Sequence, residues 1–328
     1  MSNLKDSFGR PVGRLRLSIT DRCNLRCRYC MPDEVRHLPH DQLLSYEESA
    51  RLARISAELG IDKVRITGGE PLVRHGVPEL IRRLRAIGSL KSVALTTNGI
   101  LLSAQARALR EAGLTSINVS LDTLRRDRFE ELCRRDLLTC VLEGLDAARA
   151  AGFERIKVNC VVMRGVNDDE IGAFVRMGRG NGYQVRFIEF MPFEAEGLWS
   201  LDKVVSQDEI LDRVDSVSSL DRTPSGDSRD PARLFRFSDG HGEVGVIASV
   251  SHPFCSSCDR LRITADGKLR ACLFVDSEVD LRAAMRSGST DEALARFIVD
   301  GVAAKDRGRS AGTDPLERPC RSMHAIGG

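Results

Sequence analysis

No stretch of these 328 residues is long and apolar enough to span a bilayer as a helix, so we expect no membrane association. The opening MSNLKDSFGR is polar apart from one phenylalanine and lacks the apolar run of a secretory signal. An excess of charge of either sign is also missing: 49 basic residues face 47 acidic ones, for a net +2. That balance gives no compositional argument for a nucleic-acid partner, although local arginines remain free to bind phosphate. Apart from an alternation of strand-like and helix-like segments there is no internal repeat. What the chain does have is cysteine, ten in all. In a short secreted chain ten would suggest disulfides. Without a signal segment, a reducing cytoplasm and thiols kept free for other chemistry are expected.

Three of these thiols, Cys23, Cys27 and Cys30, are spaced C-x3-C-x2-C in TDRCNLRCRYCMP. Three thiolates can hold a cubic iron–sulfur cluster by three of its irons and leave the fourth open to a reacting molecule. Clusters that only carry electrons ordinarily have every iron ligated by protein. A second trio, Cys255, Cys258 and Cys272, occurs in HPFCSSCDRLRITADGKLRAC. Two incomplete sulfur sites suggest that one initiates a reaction and the other holds its substrate. A structural zinc site is the alternative for the first trio, with His37 or His40 as fourth ligand.

Residues 14 to 190 alternate between β-rich and helical patterns. Strands are expected at Arg14–Thr20, Lys63–Ile66, Ser92–Thr96, Ser116–Leu121, Arg155–Val162 and Gln184–Ile188. Helices are expected at Leu43–Leu59, Val77–Ala86, Ser103–Glu111, Phe129–Ala150 and Asp168–Met177. Six such repeats suit an open parallel sheet or an incomplete barrel. The strand-end sequences TDRCN, TGGEP, TTNG, SLDT and EFMP would then share one rim, where active sites of this architecture form. The pattern changes after about Trp199. A helix near Gln207–Val214 leads into a Ser/Asp/Pro-rich loop, followed by short strands carrying the second trio. Val279–Arg286 and Asp291–Ala304 read as helices, and the closing SMHAIGG as extended.

TGGEP, at Thr67–Pro71, combines two glycines that permit close backbone approach with a proline that fixes the exit direction. Arg65 and Lys157 fall at inward-facing strand positions, where an unpaired charge is costly unless an anionic ligand answers it. Arg260 and Arg262 flank Leu261, and strand alternation puts both on one side. Four convergent cations point to a polyphosphate. Cys133, Cys140 and Cys160 read as small buried apolar residues, and Cys320 has no partner at ligand spacing. His75, His241, His252 and His324 read as local hydrogen-bonding residues rather than catalysts.

The text CNLRCRYCMP, RITGGEPLVR, TTNG, VSLDT, RFIEFMPF and HPFCSSCDRLRITADGKLRACLF closely resembles the molybdenum cofactor biosynthesis protein A family of radical S-adenosylmethionine enzymes, from about Arg10 to the terminal Gly-Gly. The resemblance implies an α/β fold: an incomplete six-stranded (β/α) TIM-like barrel with a C-terminal α+β region closing the open side. Residues 1–200 would form the barrel with its cluster site, and residues 201–328 the C-terminal region with a second cluster site and a Gly-Gly tail. It implies two [4Fe–4S] clusters, each with three cysteine ligands: Cys23, Cys27 and Cys30 for the one that binds S-adenosylmethionine, and Cys255, Cys258 and Cys272 for the one whose open iron receives guanine. Tyr29, Gly69, Ser120 and Met191 match S-adenosylmethionine-contacting positions. Arg16, Arg65, Thr96, Lys157, Arg260, Leu261 and Arg262 match positions that contact GTP. Gly327 and Gly328 would thread into the active site to assist the reaction.

The implied activity is that of a lyase, a GTP 3′,8-cyclase, at the first step of molybdenum cofactor (molybdopterin) biosynthesis. Reductive cleavage of S-adenosylmethionine gives a 5′-deoxyadenosyl radical, which abstracts H3′ of GTP. The C3′ radical adds to C8, and reduction yields (8S)-3′,8-cyclo-7,8-dihydroguanosine 5′-triphosphate. Position, rather than a general base, selects the hydrogen. An unidentified electron donor, a homodimeric state and cyclic pyranopterin monophosphate synthase as the next enzyme are further implied. A peptide-modifying maturase of the same superfamily is the enzymatic rival. A zinc-braced nucleic-acid-binding module is the rival of another class, and it leaves TGGEP unexplained.

Overall fold

The computed structural model describes residues 4–32, 34–193, 197–227, 229–308 and 319–327. Six strands run in parallel and in sequence order: β1 (Arg14–Ser18), β2 (Lys63–Thr67), β3 (Ser92–Thr97), β4 (Ser116–Ser120), β5 (Ile156–Val162) and β6 (Gln184–Glu189). The helices connecting them are α1 (Tyr46–Glu58), α2 (Val77–Arg85), α3 (Leu102–Glu111), α4 (Arg126–Cys133), α5 (Leu138–Ala150) and α6 (Ile171–Asn181). Ser45 starts α1 by accepting from the Glu48 N–H while the Glu48 carboxylate accepts from the Ser45 N–H, a reciprocal pair that satisfies two end donors.

Alternation along these strands sorts the side chains. Leu15, Leu17, Val64, Ile66, Val93, Leu95, Ile117 and Val119 are fully buried in the apolar core. Arg16, Arg65, Thr96, Asn118, Ser120, Lys157 and Asn159 occupy the intervening positions and line a cavity. A period of two therefore sets an aliphatic outer face against a largely polar inner one, which Val161 and Ile188 interrupt on β5 and β6.

The C-terminal region adds α7 (Gln207–Asp215), β7 (Arg233–Arg236), β8 (Glu243–Ile247), β9 (Arg260–Ile263), β10 (Lys268–Arg270), β11 (Val279–Asp280), α8 (Leu281–Arg286), α9 (Asp291–Ala303) and α10 (Met323–Ile326). Its strands extend both edges of one eleven-stranded sheet, in the order β11-β10-β9-β1-β2-β3-β4-β5-β6-β8-β7. β9 pairs parallel with β1, and β8 pairs parallel with β6. The incomplete barrel is thus widened at both free edges. Buried Glu189 at the end of β6 fastens the junction: it accepts N–H bonds from Gln207, Val250 and Ser251.

Three expectations change. The helix expected over Phe129–Ala150 is two helices, because Arg134 at the end of α4 takes a left-handed φ of 56°, which a continuous helix does not permit. Val279–Arg286 begins as the short strand β11, paired to β10, before turning helical. The terminus is not extended at Met323–Ile326 but forms the turn α10. No helix among the described residues is long and apolar enough to cross a membrane.

Helix α5 crosses the turn after β3 at Gly144, where an added Cβ would lie 2.2 Å from the Gly99 carbonyl oxygen. Gly144→Ala should therefore cost about 1–3 kcal/mol through overpacking. Urea denaturation of the metal-free protein measures it; a loss below about 0.5 kcal/mol, the scale of an ordinary surface change, would mean the helix shifts freely.

Candidate active site

The cavity has a volume of about 760 Å³, and both cysteine trios line it. Strand direction sets them at opposite ends. The first trio follows the C-terminal end of β1. Cys255 and Cys258 precede β9, which runs parallel to β1, and Cys272 follows β10, which runs antiparallel to β9. The second trio therefore gathers at the N-terminal ends of the barrel strands.

At the first end, the TGGEP turn packs onto the cysteine loop. A Cβ at Gly68 would lie 2.7 Å from the Thr20 carbonyl oxygen, and one at Gly69 2.5 Å from that of Arg22. The glycines are there because backbone meets backbone. Gly69 N–H donates to the Thr20 carbonyl and Glu70 N–H to that of Arg22. The buried Glu70 carboxylate then accepts from Leu72 N–H, Asn98 N–H and Thr97 Oγ1, joining TGGEP to TTNG. Asn98 Nδ2 donates to Asn24 Oδ1 at 2.7 Å and to Cys23 Sγ at 3.8 Å, and Leu25 N–H donates to the same sulfur at 3.4 Å. Tyr29 gives its hydroxyl hydrogen to Asp122, whose other oxygen accepts from Val161 N–H at 2.8 Å.

Burial pushes the Cys23 thiol up to about 12 and the Cys30 thiol well above its ordinary value. Cys27 is raised too, first by its hydrogen bond to Cys133, 3.7 Å away, and then by burial. Bound iron would supply the drive to deprotonate them. All six trio cysteines are free of disulfides. Among the described residues no three His, Cys, Asp or Glu side chains are placed to hold a single metal ion, and His37 Nδ1 lies 3.5 Å from Asp21 instead. A four-iron cube is wider than one ion and takes its thiolates at separate corners. The sulfur-directed donors, reduced thiols and open cavity fit such a cluster.

The middle and far end are cationic. Arg16 is the register partner of both Arg65 and Arg262. Burial, then Arg262, Arg260 and Arg65, hold the Arg16 guanidinium well below its usual range. Burial and then Arg186 bring Arg65 down to about 10 and Lys157 to about 7, and burial and Arg260 bring Arg262 to about 9. Arg65 Nη1, Asn118 Oδ1 and Asn159 Oδ1 are buried without a hydrogen-bond partner among the described residues. Unanswered polar atoms in a native interior call for a ligand or water. Arg262 Nη1 donates to the Gly327 carbonyl at 2.7 Å, which brings buried Gly327 beside the cations. Gly328 lies outside the described residues.

The cavity thus gathers Tyr29, Gly69, Ser120, Met191, Arg16, Arg65, Thr96, Lys157, Arg260 and Arg262 together with both trios. Leu261 is not among them. Alternation turns its side chain to the opposite face of β9, where it is fully buried, so only its main chain is available. Sequence reasoning did not single out Asn98, Asp122, Asn159, Arg186 or Asp230, which also line the cavity. The rim motifs TTNG and SLDT contained the first two as a signal. Asp230 had none: it comes from the Ser/Asp-rich loop and reaches Arg14 Nη1 at 2.9 Å.

Residues 17–178 match the Radical SAM superfamily and residues 183–311 match Molybdenum Cofactor Synthesis C. The chain is 44% identical to the GTP 3′,8-cyclase of Thermodesulfovibrio yellowstonii over 99% of this chain and 100% of that one. It is 46% identical to the GTP 3′,8-cyclase of Geobacter sulfurreducens over 99% of each. Among solved structures, Streptococcus suis SuiB bound to S-adenosylmethionine superposes with a TM-score of 0.64 over 89% of this chain and 68% of that one. At 15% identity that last likeness concerns the fold alone.

Burial raises the Glu70 carboxyl to about 7 against 4.5 in the open chain. The folded state then binds the proton more tightly than the unfolded state, so this group's contribution to stability is full below about 4.5 and is lost as pH rises to about 7. Denaturation of the metal-free protein across that window should show stability falling. Glu70→Gln should remove this part of the slope and cost about 1–3 kcal/mol at neutral pH, because an amide cannot accept at both positions. An unchanged slope in the variant would assign the titration elsewhere.

Proposed function

The chain belongs to the GTP 3′,8-cyclase family, and we propose that its two-ended cavity carries the division of labour behind that activity. It is a radical S-adenosylmethionine enzyme of molybdenum cofactor biosynthesis, acting on GTP with a [4Fe–4S] cluster and S-adenosylmethionine. The proposal concerns which residues do what. One observation carries it: both thiol trios and the cations between them line a single cavity.

Cys23, Cys27 and Cys30 would hold the first cluster, with Tyr29, Gly69, Ser120 and Met191 around S-adenosylmethionine. When bound, these groups supply the electron and the 5′-deoxyadenosyl radical that takes H3′ from GTP before C3′ joins C8. Cys255, Cys258 and Cys272 would hold a second [4Fe–4S] cluster facing the guanine base. Arg16, Arg65, Lys157, Arg260 and Arg262, with Thr96 and the Leu261 main chain, would bind the nucleotide through charge-assisted hydrogen bonds. Fixed at both ends, the ribose has little freedom, and a radical that attacks nearby C–H bonds indiscriminately is left with one target. The Tyr29–Asp122 hydrogen bond keeps the aromatic ring of the cysteine loop in place while the cavity fills.

Gly327, beside Arg262, supports a role for the Gly327–Gly328 tail in arranging that arginine. A Cβ at Gly327 would come within 2.7 Å of Ser18 Cβ and Thr67 Oγ1, so a side chain does not fit. Homodimerisation, a cytoplasmic setting, an electron donor yet to be identified, and transfer of the product to cyclic pyranopterin monophosphate synthase complete the reading.

Anaerobic turnover tests it. With iron and sulfide restored, and with S-adenosylmethionine, reductant and GTP supplied, 5′-deoxyadenosine and cyclised nucleotide should form together. Cyclised nucleotide should disappear when ATP replaces GTP. Deoxyadenosine without a nucleotide product, in protein with full iron, would overturn the substrate assignment in favour of a maturase. Deletion of Gly327 and Gly328 should abolish cyclisation with iron content unchanged. Turnover at the parent rate would remove the tail from the mechanism.

A further inference from the structure

Lys305 lies just beyond α9 and is only 4% exposed, a rare degree of burial for a lysine. Its three donors are all directed at the loop of the second trio. Nζ donates to the Cys258 carbonyl at 3.0 Å, to the Arg260 carbonyl at 3.0 Å and to Cys258 Sγ at 3.4 Å. Two backbone carbonyls therefore fix the ammonium, and its remaining hydrogen is aimed at a sulfur. The neighbouring chain is fastened to the same loop. Arg10 Nη1 donates to the Cys255 carbonyl at 2.8 Å and to the Arg307 carbonyl at 2.7 Å. A Cβ on Gly308 would lie 2.4 Å from Cys255 Cβ, so residues 305 to 308 sit directly against the cysteine loop.

We propose that Lys305 is a positioning residue of the second cluster site, holding Cys258 as a ligand and raising the reduction potential of the cluster bound there. The inference rests on the reading that Cys255, Cys258 and Cys272 hold an iron–sulfur cluster. A ligand sulfur gains electron density when its cluster is reduced, and a fixed cation beside it stabilises that form more than the oxidised one. Removal of the cation therefore lowers the potential. In the low-dielectric cavity wall the effect is screened less than at the surface. A lysine that merely braced the loop would affect stability and leave the potential where it was.

The second cluster can be studied separately by replacing Cys23, Cys27 and Cys30 with serine in the full-length chain and restoring iron and sulfide anaerobically. Iron is then counted per chain, and the cluster is titrated against redox dyes with electron paramagnetic resonance detection. In that parent Lys305→Met should shift the one-electron equilibrium about tenfold toward the oxidised cluster, about 59 mV lower, while Lys305→Arg stays near the parent. A full iron count with an unchanged potential in Lys305→Met overturns the proposal. Should the methionine variant take up no iron, Lys305→Gln, which keeps a donor without the charge, is titrated instead. A lowered potential there supports the proposal and a parental one overturns it. A parent that binds no iron at all is a different failure: it removes the second-cluster reading, and this inference with it.

Discussion

Like charges face one another inside this barrel, and much of the architecture follows from that. Arg16 has Arg65 on one neighbouring strand and Arg262 on the other, in direct register, with Lys157 and Arg186 across the cavity. Closed barrels of this general kind fill their interior with layers of branched aliphatic side chains. Here the fully buried aliphatic residues lie at the outer, helix-facing positions, Val161, Ile188 and Ile247 share the inner wall with polar side chains, and the inner positions carry charge without enough protein carboxylates to balance it. Asp230 provides partial compensation, held low by Arg186 and Arg14 although burial opposes ionisation. An interior of this kind is costly until an anion enters, so binding an anion there and relieving the wall are one event.

The same sheet accounts for the two ends. A parallel barrel offers one catalytic rim, at the strand C-termini, and the first trio uses it. A second thiol site at the far end requires chain that arrives at the strand N-termini. β9 supplies this by pairing parallel to β1, with Cys255 and Cys258 just ahead of it, and antiparallel β10 brings Cys272 back to the same end. Opening the barrel between β1 and β6 is thus what lets the C-terminal region reach both free edges and deliver thiols that no βα loop could.

The six parallel strands were legible because each carries a clean period of two flanked by turn sequences, and the thiol trios because their spacing is local. Boundaries that depend on one backbone angle were not legible. Nothing in CRRD marks Arg134 as the left-handed residue that separates α4 from α5, and arginine is a poor candidate for that conformation. The polar residues around the two trios divide in the same way. Asn98 and Asp122 sit in motifs that the rim argument already contained. Lys305 and Asp230 sit in segments whose composition is that of ordinary surface, and only the way the chain returns to β9 and β1 gives them partners. Leu261 shows the converse: a motif run reads as contiguous, whereas a strand presents its members to opposite faces.

Arg262 ties these threads together. It is inward-facing on β9, two residues from the Cys258–Arg260 segment that Lys305 holds, and it donates to the carbonyl of Gly327. A neutral carbonyl answers a guanidinium without cancelling its charge, so the tail orients the cation and leaves its field intact inside the cavity. An acidic residue at the same place would form an ion pair and cancel the charge, and any side chain would collide with Ser18 and Thr67. Glycine is the residue that supplies a carbonyl there and nothing else.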